Sequence, residues 1–86
     1  MEITDVSIFK VDGERLKGYA TVIFDNVFIV RDLKIISGNN GLFVAMPNKK
    51  GKNGTYRDIA HPLNQEMREN LEQRVIEKYL DGAETS

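Results

Sequence analysis

The 86-residue chain contains no cysteine and no tryptophan. Without thiols there is no disulfide to reinforce a small core, no thiolate metal site, and no cysteine nucleophile or redox couple. Only two prolines and one histidine occur. A single histidine with no cysteine leaves too few ligands for a zinc centre, so no metal and no cofactor is expected. Long apolar runs are missing too. The longest covers residues 42–46 (LFVAM), far short of the roughly 20 residues that span a bilayer. The opening Met1-Glu2-Ile3-Thr4-Asp5 has two acids and no basic-then-apolar stretch, so no secretory signal is read there and a cytoplasmic protein is expected. On that reading Asn53-Gly54-Thr55, which fits the glycosylation pattern, is a turn.

Neither sign of charge dominates: 12 bases stand against 13 acids, for a net charge of −1. The distribution says more than the sum. Residues 1–48 hold six acids and five bases, and residues 59–86 hold six acids and three bases. Between them Lys49, Lys50, Lys52 and Arg57 face Asp58 alone, the one local excess of positive charge. No repeat, low-complexity stretch or linker interrupts the chain, so residues 1–86 are read as one domain. A chain of this length buries only about 60–65% of its unfolded surface, and association is a natural way to enlarge so small a core.

The first half reads as strands, spanning residues 3–59 in all. Residues 3–11 are rich in β-branched and aromatic side chains and end at the turn dipeptide Asp12-Gly13. Residues 16–24 alternate, with Leu16, Gly18, Ala20, Val22 and Phe24 on one face. Asp25-Asn26 then predicts a tight hairpin into residues 27–36. That third strand is apolar on both faces, with Val27, Ile29, Leu33 and Ile35 on one and Phe28, Val30 and Ile36 on the other, and such a strand calls for cover on both sides. Residues 42–46 form a short fourth strand ended by Pro47. Asn53-Gly54 marks another hairpin, with residues 55–59 as a fifth strand.

From residue 64 the period changes. Met67, Leu71, Val75 and Tyr79 recur every four residues, and Ile76 and Leu80 widen the stripe, predicting one C-terminal helix over residues 64–80 and a short tail over 81–86. Asn64 is a good N-cap, Pro62 a possible first helical residue, and Gly82 a C-terminal cap. The fold class is therefore α+β: a small antiparallel sheet of four to five strands followed by one helix. One helix has one apolar stripe and covers one face of a sheet. The second face needs a second cover, most simply another copy of the chain, so a homodimer is expected.

His61, three residues after Asp58, is the one candidate general base, but no nucleophile or second acid accompanies it. A structural hydrogen-bonding role beside Pro62 is favoured, and no enzyme is expected. Gly38-Asn39-Asn40-Gly41 invites comparison with a phosphate-binding nest. It lacks the GxGxxG spacing and a following helix, and the same residues are what a tight turn with positive φ requires. Gly51-Lys52 fails as a P-loop because Asn53 stands where Ser or Thr is needed. The basic segment carries more. Lysines on a loop follow a phosphate backbone without reading sequence, and Tyr56 beside them is a stacking surface for an unpaired base. The bland alternative is a solvated hairpin tip. The polar face of the helix, with Arg68, Glu69, Glu72, Gln73, Arg74, Glu77 and Lys78, reads as an exposed face laced by local pairs such as Arg68–Glu72 and Arg74–Glu77.

The segment GNNGLFVAMP at residues 38–47, followed by RDIAHP at residues 57–62, resembles the signature of the bacterial stage V sporulation protein G (SpoVG) family of septation regulators. MEITDV at the start and the central FDN hairpin match as well, so the resemblance covers roughly residues 1–80. It implies a small dimeric α+β protein of the bacterial cytoplasm that binds DNA sequence-selectively, with RNA also a partner in the family, and that affects septation, sporulation or related gene expression. It implies no catalysis. Carried over to this chain, the nucleic-acid contacts it implies fall on Lys49, Lys50, Arg57, Arg68 and Arg74, and the basic patch adds Lys52. Gly38, Asn39, Asn40, Gly41, Pro47, His61 and Pro62 are carried over as architecture. Three functions of different kinds remain open at this point: a DNA-binding regulator, an RNA or single-strand binder using the same surface, and a septation-linked protein adaptor that touches no nucleic acid. No membrane and no small-molecule substrate is expected.

Overall fold

A computed structural model describes residues 1–81. The expected cap at Gly82 lies outside the described residues. Four strands, β1 (Ile3–Lys10), β2 (Leu16–Phe24), β3 (Phe28–Gly38) and β4 (Gly41–Ala45), form an antiparallel meander in sequence order. A separate two-stranded antiparallel ribbon follows, β5 (Asn48–Lys50) and β6 (Tyr56–Asp58), and then the helix α1 (Gln65–Leu80). The α+β class is as expected. The fifth strand, however, does not extend the main sheet. It pairs with a short strand that sequence periodicity missed, because three polar residues carry no alternation to detect.

The turns explain the connections. Asp25 and Asn26 both take positive φ, 50° and 58°, which matches a primed turn and the right-handed twist of the strands it joins. The Val27 N–H closes the turn on the Phe24 carbonyl at 3.0 Å. This hairpin end is tied to the start of β1: the Asp25 carboxylate accepts the Glu2 N–H at 2.9 Å, and the Thr4 hydroxyl accepts the Asn26 N–H at 3.0 Å. At the other end Gly38 pairs with Gly41 across Asn39-Asn40. Gly41 has φ of +116°, a conformation side chains resist. The segment is a two-residue hairpin turn, as its composition suggests.

The third strand departs from strict alternation. Ala20 pairs with Leu33, yet Val22 pairs with Val30, so Arg31 and Asp32 together oppose Thr21. Asp32, at φ 64°, supplies the left-handed residue of this bulge. The extra residue moves Val30 onto the face of Leu33 and Ile35, and turns Ile29 away. The expected grouping of Ile29 and Val27 with Leu33 is thereby corrected: Ile29 and Val27 are 45% and 84% exposed, whereas Leu33 and Ile35 are buried.

One face of the sheet forms the core, where Ile3, Val6, Ile8, Ala20, Val22, Leu33, Ile35 and Val44 meet Leu71 and Val75 of the helix. Asn64 caps the helix, its side chain accepting the Met67 N–H at 2.8 Å, so Asn64 and not Pro62 marks the start. Met67, Ile76 and Tyr79 pack at the margins of this core. The opposite face has no covering element among the described residues.

Candidate nucleic-acid interface

The main chain leaves the sheet at Pro47, whose missing N–H ends the ladder. The ribbon is tied at its base by the Ile59 N–H to the Pro47 carbonyl, 2.8 Å. At its tip the Gly54 N–H reaches the Gly51 carbonyl at 3.1 Å, with Gly54 at φ 85°. The Asn53 side chain accepts both the N–H and the hydroxyl of Thr55, at 3.2 and 2.6 Å. A short polar segment thus holds its shape through turn chemistry. Apart from half-buried Asn48, every ribbon-strand residue is exposed.

The register sorts the charges. Lys49 stands directly across from Arg57, Lys50 across from Tyr56, and Asn48 across from Asp58. Alternation puts Lys49 and Arg57 together on one face of the ribbon and Lys50, Tyr56, Asn48 and Asp58 on the other. The single acid therefore lies on the face away from the Lys49–Arg57 pair. Like charges directly opposite each other destabilise a two-stranded ribbon, and a bound anion would relieve that repulsion. Lys52 sits within the tip turn. The basic segment, read from sequence as a loop, is thus a hairpin that brings four cations and the 68%-exposed Tyr56 onto one projection.

The helix arginines do not form one group. Glu72 reaches the β4 edge, its carboxylate accepting the Val44 N–H at 3.1 Å. Arg74 reaches the other way, its guanidinium donating to the Ile3 carbonyl of β1 at a long 3.4 Å. At 100° per residue Arg68 falls on the Glu72 flank, towards the strand from which the ribbon springs, and Arg74 falls on the far flank. The local pairs expected for these arginines give way to other partners: Glu72 binds the β4 backbone, and Glu77 accepts from Gln73 at 2.9 Å.

His61 is exposed, and its Nδ1 lies 2.9 Å from the Pro62 carbonyl. A carbonyl only accepts, so this contact puts the proton on Nδ1. The arrangement is a local clasp at the ribbon-to-helix junction, not a base oriented by Asp58. Gly38, Asn39, Asn40 and Gly41 lie at the β3–β4 turn, as architecture. Sequence reasoning missed two contributors: Glu72 as the cover of the β4 edge, and the Arg31–Asp32 bulge that sorts the two faces of the sheet. A polar residue opposite an apolar run was the available hint for the bulge.

Fold and ribbon define the class: a small α+β domain with a four-stranded meander, one helix on one face, and a projecting cationic hairpin. Within that class the chain belongs to the SpoVG family, whose model matches residues 1–81. Relatives carry the description "Putative septation protein SpoVG". That of Anaeromyxobacter sp. strain Fw109-5 is 56% identical over 79 residues, covering 92% of this chain and 81% of its own. That of Bdellovibrio bacteriovorus is also 56% identical, covering 92% and 73%. That of Caldicellulosiruptor saccharolyticus is 55% identical over 80 residues, covering 92% and 91%. Among the described residues no helix is long and apolar enough to cross a membrane.

Proposed function

We propose that the protein is a non-catalytic, cytoplasmic, homodimeric regulator that binds DNA through its β5–β6 ribbon and acts in septation, sporulation or related gene expression. The observation that carries the reading is the Lys49–Arg57 cross-strand pair on an exposed ribbon, with the ribbon's one acid on the opposite face. A two-stranded ribbon has the width to enter a major groove, and lysines along it neutralise phosphates on the way in. Arg68 is the helix residue that would add to this surface. The septation role follows the description of the relatives.

The dimer rests on packing. The outer face of the sheet carries Phe9, Ile29 and Phe43, which are 63%, 45% and 40% exposed. Phe9, Tyr19, Lys34 and Ala45 lie in one cross-strand row on that face. A second copy laid on this face would cover the aromatics and present two ribbons, doubling the cationic surface.

The test is to replace Lys49, Lys50 and Lys52 together by Glu. The wild-type protein is expected to bind duplex DNA with an affinity that falls steeply with salt. Each neutralised phosphate contributes about 0.9 to the slope of log K against log salt. The triple variant should lose binding while keeping its far-ultraviolet spectrum. Undiminished binding would overturn the assignment. A wild-type protein that holds no polyanion at low salt would favour a protein adaptor. Tyr56, across from Lys50 and largely exposed, favours a second reading in which unpaired bases stack on the ribbon. Competing duplex DNA, single-stranded DNA and RNA at one salt concentration separates the two.

A further inference from the structure

A cavity of about 240 Å³ opens at the end of the core where the helix begins. All three methionines of the chain, Met1, Met46 and Met67, line it, and so do Phe24 and Phe28. One wall is the segment of residues 60–62, the strap that leads from the ribbon to the helix cap. Protein interiors are packed densely enough that voids larger than a water molecule are few. An engineered apolar cavity of about 150 Å³ already admits benzene. This one is larger.

Its chemistry is as selective as its size. Among the described residues no Asp, Glu, Lys or Arg side chain is part of the lining. Among the lining side chains of the described residues the one ionisable group is His61, whose Nδ1 is committed to the Pro62 carbonyl. A charged ligand would therefore lose its hydration with no charged side chain to replace it. Methionines bring the opposite quality: unbranched, polarisable side chains that remodel around an apolar guest and contact aromatic edges favourably. Phe24 and Phe28 are tilted at 44° with centroids 6.5 Å apart, and Phe28 is 57% exposed. Leu63, the residue after the strap, is 93% exposed and does not plug the opening.

We propose that this cavity is a binding site for a small uncharged apolar molecule, about the size of an indole ring. The ligand would lie between the sheet and the strap and would brace the strap against the core. The proposal stands apart from what the ribbon binds.

The experiment is a titration of the full chain with indole, observed through the carbon-13-labelled methyl groups of the methionines. The Met46 and Met67 signals should shift together, saturate with one dissociation constant, and be accompanied by a higher melting temperature. Shifts that are absent, or that grow linearly to the solubility limit, would overturn the site. Indole-3-carboxylate should bind at least ten-fold more weakly than indole, and equal binding would refute the apolar selectivity. Ala60→Phe, which fills the cavity from the strap, should weaken indole binding at least ten-fold. A folded variant that binds as tightly as wild type would move the ligand elsewhere; should this variant not fold, the indole and carboxylate arms decide on the wild-type chain.

Discussion

The Glu72 carboxylate on the helix accepts the Val44 N–H on β4, a single hydrogen bond of 3.1 Å that ties α1 to the edge of the sheet. Val44 is buried and sits on an edge strand, where an unpaired N–H is both costly and a template for another strand. Glu72→Ala should lower stability by about 1–2 kcal/mol. Glu72→Gln, which keeps an acceptor, should retain most of it. Urea denaturation of the three proteins measures the difference, and equal losses for Ala and Gln would show that the charge and not the hydrogen bond matters.

Asp32 holds the bulge at positive φ, so its substitutions should sort by backbone freedom. Asp32→Gly should leave stability unchanged or slightly raised. Asp32→Val, whose branched side chain resists the left-handed region, should cost about 1–2 kcal/mol. Thermal denaturation checks both. A comparable loss in Gly and Val would assign the stabilisation to the carboxylate.

Lys49 and Arg57 face each other across the ribbon, and this sets fold and binding in opposition. Lys49→Glu converts a repulsive cross-strand pair into an attractive one and should stabilise the ribbon by about 0.2–1 kcal/mol. The same change should weaken DNA binding and flatten its salt dependence. Hydrogen exchange at the ribbon amides reads the first effect, and fluorescence anisotropy at two salt concentrations reads the second. Protection and affinity moving in the same direction would sink the idea that the pair is held for an anion.

Arg57 and Arg74 should behave differently, although sequence reading grouped them. Arg57→Ala should reduce the salt slope by about 0.9, the share of one phosphate. Arg74→Ala, on the β1 flank of the helix, should leave the slope as it is. Parallel losses would bring that flank into the interface.

Phe9 is the most exposed aromatic on the outer face of the sheet. The wild type is expected to sediment as a dimer and Phe9→Lys as a folded monomer, because the core lies on the other face. An unchanged mass would place any dimer contact elsewhere.

Much of this fold is legible in the residues themselves. Alternation in β2, the four-residue recurrence from Met67 to Tyr79, the Asn64 cap and the turns at Asp25-Asn26 and Asn53-Gly54 are local features, and local physics was enough to find them. The cationic segment was legible as a patch, since charge density is a property of sequence. Its shape was not. Asn48, Lys49 and Lys50 have no apolar face, and their strand exists because Tyr56, Arg57 and Asp58 come back alongside them.

By itself, then, the sequence determined every element type but β5, that one helix covers one face of the sheet, and where positive charge gathers, because periodicity, turn chemistry and charge act within a few residues. Only the tertiary structure decided which face Val30 and Ile29 join, that β5 and β6 stand off the main sheet, and that Arg68 and Arg74 lie on opposite flanks of the helix. The reason is the same each time. A one-residue bulge, the pairing of a polar strand and the orientation of a helix are fixed by partners distant in the chain, as Ala20 fixes Leu33, Arg57 fixes Lys49, and Val44 fixes Glu72.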